Sequence, residues 1–451
     1  MFQKIKNFYH LFQAILANIY YGFPSRKLIV IGVTGTDGKT TTTSIIYQIL
    51  KKSGKKAAMI SSIGASIGEK TYDIGFHVTT PSPFGLQKYL RIAVQKECEY
   101  VVLETTSHGL DQFRVWGIRY EIGVLTNITR EHLDYHKSYE EYARTKLKLI
   151  KRSKVGIVNM DDKSYELVKT LNSKFEILNK IQNSKFKVQK PFDDAQGTKG
   201  KRLVTYSLNN KEADFNLKNF RFETNMMGDF NKYNCLAAIA VVRELHINKN
   251  IIRKALKDIK IPEGRQEIVY DKDFRVIIDF AHTSNAFAKL LPEVKKNTKG
   301  RLIHLFGSAG ERDAVKRPDM GRQSSKHVDI IVLTAEDPRS EKINRINSQI
   351  KAGILNKFYR CKLDTKENIK LLNCYTANKN KKHLLFEIEG RKQAIEFAIK
   401  IAKHGDTVVL TGKSHEKSMN LGNGEEEWDE YEVVKEAIVN KSKVLSQKPK
   451  A

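Results

Sequence analysis

The sequence predicts an α/β protein with two doubly wound, mostly parallel sheet regions. Three observations predict it. An apolar run, Leu28 to Val33, leads into a glycine-rich turn and then into a stretch with Ile45, Ile46, Ile49 and Leu50 on one helical face, the pattern of a buried parallel strand followed by a helix. Further short apolar runs alternate with helix-like stretches and end at Glu104 (Val101, Val102, Leu103), near Asn127 (Ile122, Val124, Leu125) and at Asn159 (Val155, Ile157, Val158). A second series begins near Arg265, with strands expected at Val276 to Phe280, Leu302 to Phe306, Ile330 to Thr334, Leu384 to Glu387 and Val408 to Thr411. A chain of 451 residues is too long for one core. The break falls at Ile261-Pro262-Glu263-Gly264, a plausible hinge composition. The expected division is 1–26, 27–262 and 263–451.

The first segment, Phe2 to Pro24, is apolar and aromatic but interrupted by His10, Gln13 and Asn18, and it lacks a signal-peptide cleavage site. As a helix it places Phe8, Leu11, Phe12, Ile15, Leu16 and Ile19 on one face. Two readings stand: a helix docked on the body of the protein, or a membrane-surface helix, since Lys4 and Lys6 flank the apolar face. The polar stretch Gln189 to Lys201, with Pro191, Gly197 and Gly200, reads as a surface loop.

Composition narrows the classes. A hydrophobic share of 40% excludes whole-chain disorder, and no long uncharged apolar run occurs, which excludes a polytopic membrane protein and any stable membrane insertion. Lys and Arg number 79 against 51 Asp and Glu, a net charge of +28. That excess suits either polyanion binding or simply solvated lysine-rich faces. The lysines are scattered and no RNP, zinc-finger or basic-zipper pattern occurs, so no nucleic-acid partner is expected. The four cysteines, Cys98, Cys235, Cys361 and Cys374, form no CxxC pair. We expect no disulfide scaffold, no zinc ribbon and a cytoplasmic location.

The chemistry starts at Gly32-Val33-Thr34-Gly35-Thr36-Asp37-Gly38-Lys39-Thr40-Thr41. Glycines let backbone N–H groups turn toward phosphate oxygens. Lys39 supplies a cation, the next helix adds its N-terminal dipole, and the Thr40 hydroxyl can ligate Mg²⁺. The strict GxxxxGK[ST] spacing fails, because Val33 stands at its first glycine. Glu104, at a strand end facing the ligand crevice of an open sheet, either holds Mg²⁺ beside this turn or faces solvent. His132 is a second metal-ligand candidate or a structural histidine. Lys146, amid helical residues, reads from its surroundings alone as a solvated or snorkelling lysine.

Taken together, the motifs resemble those of the Mur ligase family. They are Gly35-Thr36-Asp37-Gly38-Lys39-Thr40-Thr41, Thr79-Thr80-Pro81, Glu104 to His108, Thr126-Asn127, His132 to His136 and Lys146, followed by Gly228 to Asn234, Gly264-Arg265, Asp279 to Thr283 and Gly307 to Pro318. The tripeptide-forming, MurE-type branch is the nearest in pattern. The resemblance covers about Leu28 to Glu416. It implies a P-loop-containing central Mur ligase domain, a Rossmann-like C-terminal α/β domain, and an ATP-dependent amide ligase of peptidoglycan synthesis. ATP would phosphorylate the D-glutamyl carboxylate of the UDP-muramoyl dipeptide, and a diamino acid would then attack the acyl phosphate.

By that resemblance, Gly35 to Thr41, Asn231, Asn234, Arg265, Asp279 and His282 bind ATP, the last three from a C-terminal domain that closes onto it. Thr40, Glu104, His132 and a carbamylated Lys146 (N6-carboxylysine) hold Mg²⁺, two ions in all, and Lys39 assists transfer. Thr79, Thr80, Thr106, Gln112 and Arg114 hold the UDP-muramoyl substrate. Arg312, Glu336, Asp337, Pro338, Arg339, Gly412 and Glu416 form the amino-acid pocket. There Arg339 would pair with the distal carboxylate of meso-diaminopimelate and Glu416 with its amine. The alternatives are L-lysine, another acid as in folylpolyglutamate-type ligases, or a nucleotide-binding protein without catalysis.

The departures from the family pattern are specific. Glu336-Asp337-Pro338-Arg339 replaces Asp-Asn-Pro-Arg. Glu131 stands for Asp, Thr106 for Ser, and Ser414 for Gly. Only about thirty residues precede the phosphate turn, so the resemblance leaves uridine recognition to the N-terminal helix, a partner or an altered carrier.

Overall fold

The computed structural model describes residues 2–75, 79–170, 202–361 and 368–446. The loop expected at Gln189 to Lys201 lies outside the described residues. Contacts divide the chain into two units. One comprises Met1–Arg130 and His136–Lys260, the other Glu131–Tyr135 and Ile261–Ala451.

The first unit opens with helix α1 (Phe2–Tyr21) and then β1 (Ile29–Thr34), α2 (Lys39–Lys52), β2 (Ala57–Ser61), β3 (Gly64–Ile67) and β4 (Lys70–Tyr72). There follow α3 (Pro83–Gln95), β5 (Tyr100–Glu104), α4 (Ser107–Asp111), β6 (Tyr120–Leu125), α6 (Tyr139–Arg152), β7 (Ser153–Asn159), β8 (Arg202–Tyr206), α7 (Asp229–Glu244) and α8 (Lys249–Lys257). The short helix α5 (Leu133–His136) precedes α6 in the chain. The eight strands order as β4-β3-β2-β5-β1-β6-β7-β8. From β2 to β8 neighbours are parallel, and β3 and β4 add antiparallel strands at one edge. The chain leaves β1 between β5 on one side and β6 on the other, so the crevice at the carboxyl ends of these strands opens where the strand order reverses.

Local chemistry starts and stops the helices. Ser82 caps α3 by accepting the Gly85 N–H, with Pro83 in the first turn. Ser138 caps α6 in the same way, with Glu140 and Glu141 in its first turn and Lys151 and Arg152 in its last, charges that complement the helix dipole. Beneath them lies a core of Val30, Ile60, Leu86, Leu90, Val101, Leu103 and Leu149.

Helix α1 belongs to this unit rather than standing apart as its own segment. Its seating differs from the expected one. Ala14, Ala17 and Asn18 are buried, whereas Phe8, Phe12, Leu16 and Ile19 are exposed. Small residues allow close approach, and the Asn18 side chain bonds the Trp116 carbonyl at 2.9 Å, which sets the rotation of the helix.

The second unit carries β9 (Glu267–Asp271), β10 (Arg275–Asp279), α9 (Ser284–Lys296), β11 (Leu302–Phe306), α10 (Lys316–His327), β12 (Ile330–Leu333) and α11 (Ile343–Lys351). It continues with β13 (Tyr359–Arg360), α12 (Asn368–Ala377), β14 (Leu384–Glu387), α13 (Arg391–Ile401), β15 (Thr407–Thr411), the β16–β17 hairpin (Ser418–Asn420, Glu425–Glu427) and α14 (Glu430–Ser446). Its main sheet orders as β13-β14-β12-β11-β15-β10-β9, parallel except for β9 against β10. The expected runs reappear as β10, β11, β12, β14 and β15.

The sequence reading expects no disulfide scaffold and names no pair, and the structure holds a single one. Cys361 and Cys374, thirteen residues apart in the chain, are joined as a disulfide with Cα atoms 6.2 Å apart. Sequence spacing hid this pair, because Cys361 leaves the sheet edge at β13 while Cys374 lies on α12, packed against the same core. Cys98 and Cys235 are free and buried.

Candidate active site

The phosphate turn sits between the carboxyl end of β1 and the first turn of α2. Two glycines make it possible. Gly35 has φ 152° and a Cβ there would lie 1.8 Å from Thr126 Oγ1. Gly38 has φ 79° and a Cβ there would lie 2.3 Å from Asn234 Oδ1. Any other residue would break the turn at both places.

Neighbouring strand ends hold the turn from outside. The Thr126 hydroxyl donates to the Asp37 carbonyl at 2.7 Å, and the Asn127 side chain donates to the same oxygen at 3.0 Å while accepting the Asp37 N–H at 3.0 Å. Thr36 Oγ1 accepts the Thr129 N–H at 3.0 Å and lies 3.2 Å from the Tyr142 hydroxyl. Thr126, Asn127 and Tyr142 are functional supports that no site assignment from sequence included. Their signal was positional, since the first two end the strand next to β1.

Lys39 folds back so that its ammonium donates to the Thr36 carbonyl at 2.8 Å. The Thr40 hydroxyl donates to Glu104 Oε2 at 3.0 Å. The same carboxylate oxygen accepts the Ser62 N–H at 3.2 Å, and Ser62 Oγ lies 3.0 Å from Thr40 Oγ1. Glu104 is 1% exposed, so the reading of it as a solvent-facing strand end is excluded. A buried carboxylate beside a hydroxyl at a phosphate turn is a hard-oxygen donor set that fits Mg²⁺, which keeps water and phosphate oxygens as its other ligands. Ser62 was missed because β2, which ends one residue before it, has no distinctive motif.

Lys146 is not the solvated lysine its local sequence suggested. It is 2% exposed. Its ammonium donates to the Gly35 carbonyl at 2.6 Å and lies 4.4 Å from the Tyr142 ring centroid. On the far side of the turn, Asn234 accepts the Thr42 hydroxyl at 3.2 Å and donates to Asn231 Oδ1 at 3.1 Å, and Asn231 donates to the Met227 carbonyl at 2.8 Å.

The residues expected to hold an acceptor gather just past Glu104. Thr80 donates its hydroxyl to the Glu104 carbonyl at 3.1 Å, accepts the Thr106 N–H at 3.0 Å and lies 3.1 Å from Thr106 Oγ1. Thr106 caps α4 through the Gly109 N–H. Arg114 donates to the Thr80 carbonyl at 3.1 Å and to Gln112 Oε1 at 2.9 Å. Thr79 is half-buried immediately before Thr80.

Other expected residues form a cluster within the second unit. His282 donates through Nδ1 to the Phe280 carbonyl at 2.8 Å, and its Nε2 lies 3.2 Å from Glu131 Oε1. Burial alone would lower the His282 pKa, but the Glu131 carboxylate outweighs it and holds the imidazole above its usual value. Burial opposes ionisation of Glu131, yet His132, His282 and Lys316 together hold it well below the usual carboxylate range. Lys316 donates to the His282 carbonyl at 2.8 Å. Arg265 stacks on the Phe280 ring at 4.7 Å. Asp279 accepts the Gln266 and Ala281 N–H groups at 2.7 Å each, while burial raises its pKa against the pull of Arg265.

His132 lies in this unit too, its Nε2 3.9 Å from Glu131 Oε2. Among the described residues no group of three or more His, Cys, Asp or Glu side chains is arranged to hold a metal ion. The donors gathered at the phosphate turn are Thr40, Ser62 and Glu104.

The expected amino-acid residues surround a buried lysine. Lys413 donates to both Asp337 oxygens, at 3.0 and 3.1 Å, and to Glu416 at 2.8 Å. The Asn420 N–H also bonds Asp337, and the Arg339 N–H bonds the Asn420 carbonyl at 3.0 Å. Arg339 sits half-buried at φ 54°, a strained setting for a side chain with a Cβ. Pro338 is buried beside it, whereas Arg312 is exposed. Glu336 is buried, its Oε2 has no hydrogen-bond partner, and burial raises its pKa against His282, Lys316 and Arg391. Gly412, at φ 103°, leaves the room that Glu336 occupies, for a Cβ there would lie 2.6 Å from that oxygen.

The structure explains one departure in sequence. Ser414 has φ 55°, a left-handed setting that glycine takes freely. Its hydroxyl donates to the Gly264 carbonyl at 2.9 Å, a contact that glycine could not make.

Comparison with known proteins fits this arrangement. The chain matches the Mur ligase middle domain over residues 33–242 and the Mur ligase, glutamate ligase domain over residues 264–414. It is 36% identical over 425 residues to UDP-N-acetylmuramoyl-L-alanyl-D-glutamate--2,6-diaminopimelate ligase of Aquifex aeolicus, covering 94% of this chain and 80% of that protein. It is likewise 36% identical over 464 residues to UDP-N-acetylmuramyl-tripeptide synthetase of Borreliella burgdorferi, covering 97% and 82%. A solved structure of a UDP-N-acetylmuramoyl-L-alanyl-D-glutamate--2,6-diaminopimelate ligase superposes with a TM-score of 0.55 at 26% identity, over 92% of this chain and 79% of that one. E. coli FolC, at 18% identity and TM-score 0.62 over 97% and 93%, shares the fold. A phosphate turn braced by the ends of its neighbouring strands, a second α/β unit and relatives matching nearly the whole chain lead to one conclusion: this protein belongs to the Mur ligase family.

Proposed function

We propose that the chain is an ATP-dependent acid–amino acid ligase that adds a diamino acid, meso-diaminopimelate, to UDP-MurNAc-L-Ala-D-Glu. The observation that carries this reading is the Thr40 hydroxyl held 3.0 Å from the buried Glu104 carboxylate inside the phosphate turn. That pairing is what phosphoryl transfer from a magnesium nucleotide asks of a protein, and the names of the relatives above supply the substrate class.

The D-glutamyl carboxylate is a poor acyl donor. Its oxygen attacks the γ-phosphorus of ATP and ADP leaves. The amine of the diamino acid then attacks the acyl carbon, and phosphate departs with the former carboxylate oxygen. Lys39 and the N-terminus of α2 stabilise charge on the phosphates. Thr40 and Glu104 would hold Mg²⁺, which when bound neutralises the transferring phosphoryl group. Thr80, Thr106 and Arg114, locked together beside the Glu104 strand end, orient the acceptor. Asn231 and Asn234 serve the adenine side, and Arg265, Asp279 and His282 the ribose and phosphates. Glu336 brings an unpaired buried carboxyl oxygen to the amino-acid side, where Arg339 would take the distal carboxylate and Glu416 the amine. Lys146 as a carbamate would offer oxygen to a second Mg²⁺. As an ammonium it braces Gly35.

The test is phosphate release by the purified protein with ATP, Mg²⁺, UDP-muramoyl dipeptide and a panel of amino acids. Release with meso-diaminopimelate well above release with L-lysine supports the reading. Release with lysine alone reassigns the pocket. No release with any amino acid rejects the ligase assignment.

A further inference from the structure

Helix α1 is seated the opposite way to an ordinary surface helix. Its buried positions are small or polar: Ala14, Ala17 and Asn18. Leu11 and Ile15 are half-buried, and the other large apolar side chains point outward. Phe8 is 73% exposed, Phe12 54%, Leu16 42% and Tyr20 76%. These four recur every four residues, so they form one continuous line along the helix. Ile19, 60% exposed, widens the line. An exposed apolar strip of this length marks a contact surface.

The seating is specific. Asn18 bonds the Trp116 carbonyl at 2.9 Å and the Ala14 carbonyl at 2.8 Å. A Cβ at Gly117 would lie 2.6 Å from Asn18 Oδ1. Rotating α1 to bury its aromatic line would break these contacts.

The charge carried by α1 and α3 themselves has one sign, and the carboxylate that meets α1, Asp111 on α4, bonds Asn7 at 3.0 Å and pairs with Lys148 at 3.2 Å. The first acidic residue of the chain is Asp37, and α3 contains none. Phe84 of α3 extends the strip, its ring 6.5 Å from that of Tyr20. Lys88 and Arg91 follow Phe84 at four and seven residues, on the same face, and both are exposed. Lys6 is exposed near the start of α1 and Arg26 just beyond its end. Lys4, Lys6, His10, Gln13 and Asn18 interrupt the apolar sequence, and among the described residues no helix is long and apolar enough to cross a membrane. An aromatic line and cationic flanks, on helices that themselves carry no acidic residue, are the properties of a surface that lies in the plane of an anionic lipid interface.

We propose that the exposed line of α1, continued by Phe84 and flanked by Lys88 and Arg91, docks the protein peripherally on an anionic phospholipid surface. The apolar side chains enter the boundary between headgroups and acyl chains, and the lysines and arginines meet the lipid phosphates.

The test is flotation of the full chain with vesicles of phosphatidylglycerol and phosphatidylcholine, compared with phosphatidylcholine alone, at low and high salt. Binding is expected to the anionic vesicles only, and to fall with salt. F8S/F12S/L16S is expected to weaken partition by about tenfold or more, with its melting temperature and ATP-dependent phosphate release unchanged. K88Q/R91Q, which leaves α1 intact, is expected to weaken binding at low salt and to flatten the salt dependence. Equal partition on both vesicle types, no partition at all, or unaltered partition by both variants overturns the proposal. So does a dimer in light scattering that F8S/F12S/L16S converts to monomer, since the line would then cover a second copy of the chain.

Discussion

The phosphate turn and the 336–339/412–416 cluster are held in opposite ways. The turn is held by neutral groups. Thr126, Asn127 and Tyr142 grip its backbone, and its cations Lys39 and Lys146 donate to backbone carbonyls. In those contacts both ammonium groups meet backbone oxygens of the turn itself. The second cluster is neutralised from within. Lys413 lies between Asp337 and Glu416, and Arg391 between Glu430 and the carbonyls of Ala335 and Thr411. The first region takes its shape from side chains bonded to backbone groups. The second takes its shape from buried ion pairs.

The largest expected effect lies in the first region. Glu104→Gln keeps the size of the side chain and a hydrogen-bond acceptor for Thr40 but removes the negative charge. Turnover is expected to fall by roughly 100-fold to 1000-fold, with the melting temperature little changed. A loss of stability equal to the loss of rate would make Glu104 a structural brace. Lys39→Ala is expected to cost a similar factor in turnover and to weaken nucleotide binding, read by calorimetry.

Lys146 sharpens the same point, because its two chemical forms would play different parts. Lys146→Ala is expected to abolish most turnover. If the working form is a carbamate, added short-chain carboxylic acids restore part of the rate. If it is the ammonium bonded to Gly35, short alkylamines restore it and the acids do not.

The second region predicts a loss of stability. Arg391 and Glu430 are both fully buried. Arg391→Met strands the Glu430 carboxylate and frees the Ala335 and Thr411 carbonyls that position Glu336 and Gly412. A cost of about 3–5 kcal/mol is expected, seen as a lowered denaturation midpoint. Lys413→Met should cost less, since Asp337 keeps the Asn420 N–H and Glu416 is part-exposed. If both changes were neutral, ion pairs would not be what holds this cluster.

How legible each region was follows from the kind of forces that build it. The turn and the β1, β5 and β6 strand ends could be read, because apolar runs and positive-φ glycines leave marks in sequence. Lys146 was misjudged from its local surroundings, although its spacing from Tyr142 and Leu149 puts it on the buried face of α6. Polar residues at such positions need a partner distant in sequence, here Gly35, and no local pattern names one. Strand β4 was missed because Lys70–Tyr72 has no apolar run: edge strands are stabilised by pairing more than by burial. The Cys361–Cys374 pair and the outward face of α1 depend on tertiary packing alone, and Ala14, Ala17 and Asn18 are buried there in place of the larger Phe8, Phe12, Leu16 and Ile19 because they fit. The Arg391–Glu430 and Lys413–Asp337 pairs join residues 39 and 76 positions apart, beyond the reach of periodicity.

The smallest expected effect distinguishes two histidines of the second unit by the sign of their pH dependence. His304 is buried on β11, bonded to Ser324 Oγ at 2.9 Å and to Thr411 Oγ1 at 3.1 Å, and stacked on Phe306. Burial, aided by Arg391, pushes its pKa down to about 3. The unfolded chain therefore takes up a proton near pH 6.5 that the folded chain refuses. This contribution is fully present above about pH 6.5 and is lost as pH falls, at about 1.4 kcal/mol per pH unit. His282 is raised instead, so its contribution is fully present below about pH 6.5 and is lost as pH rises through the folded value. Trp428 lies in the second unit and Trp116 in the first, so a Trp116→Phe background lets fluorescence follow urea unfolding of the second unit alone. His304→Gln in that background should flatten the fall in stability between pH 6.5 and 5, and His282→Gln should flatten the fall above pH 6.5. If His304→Gln left the acidic arm unchanged, the buried imidazole would not be the group that takes the proton on unfolding.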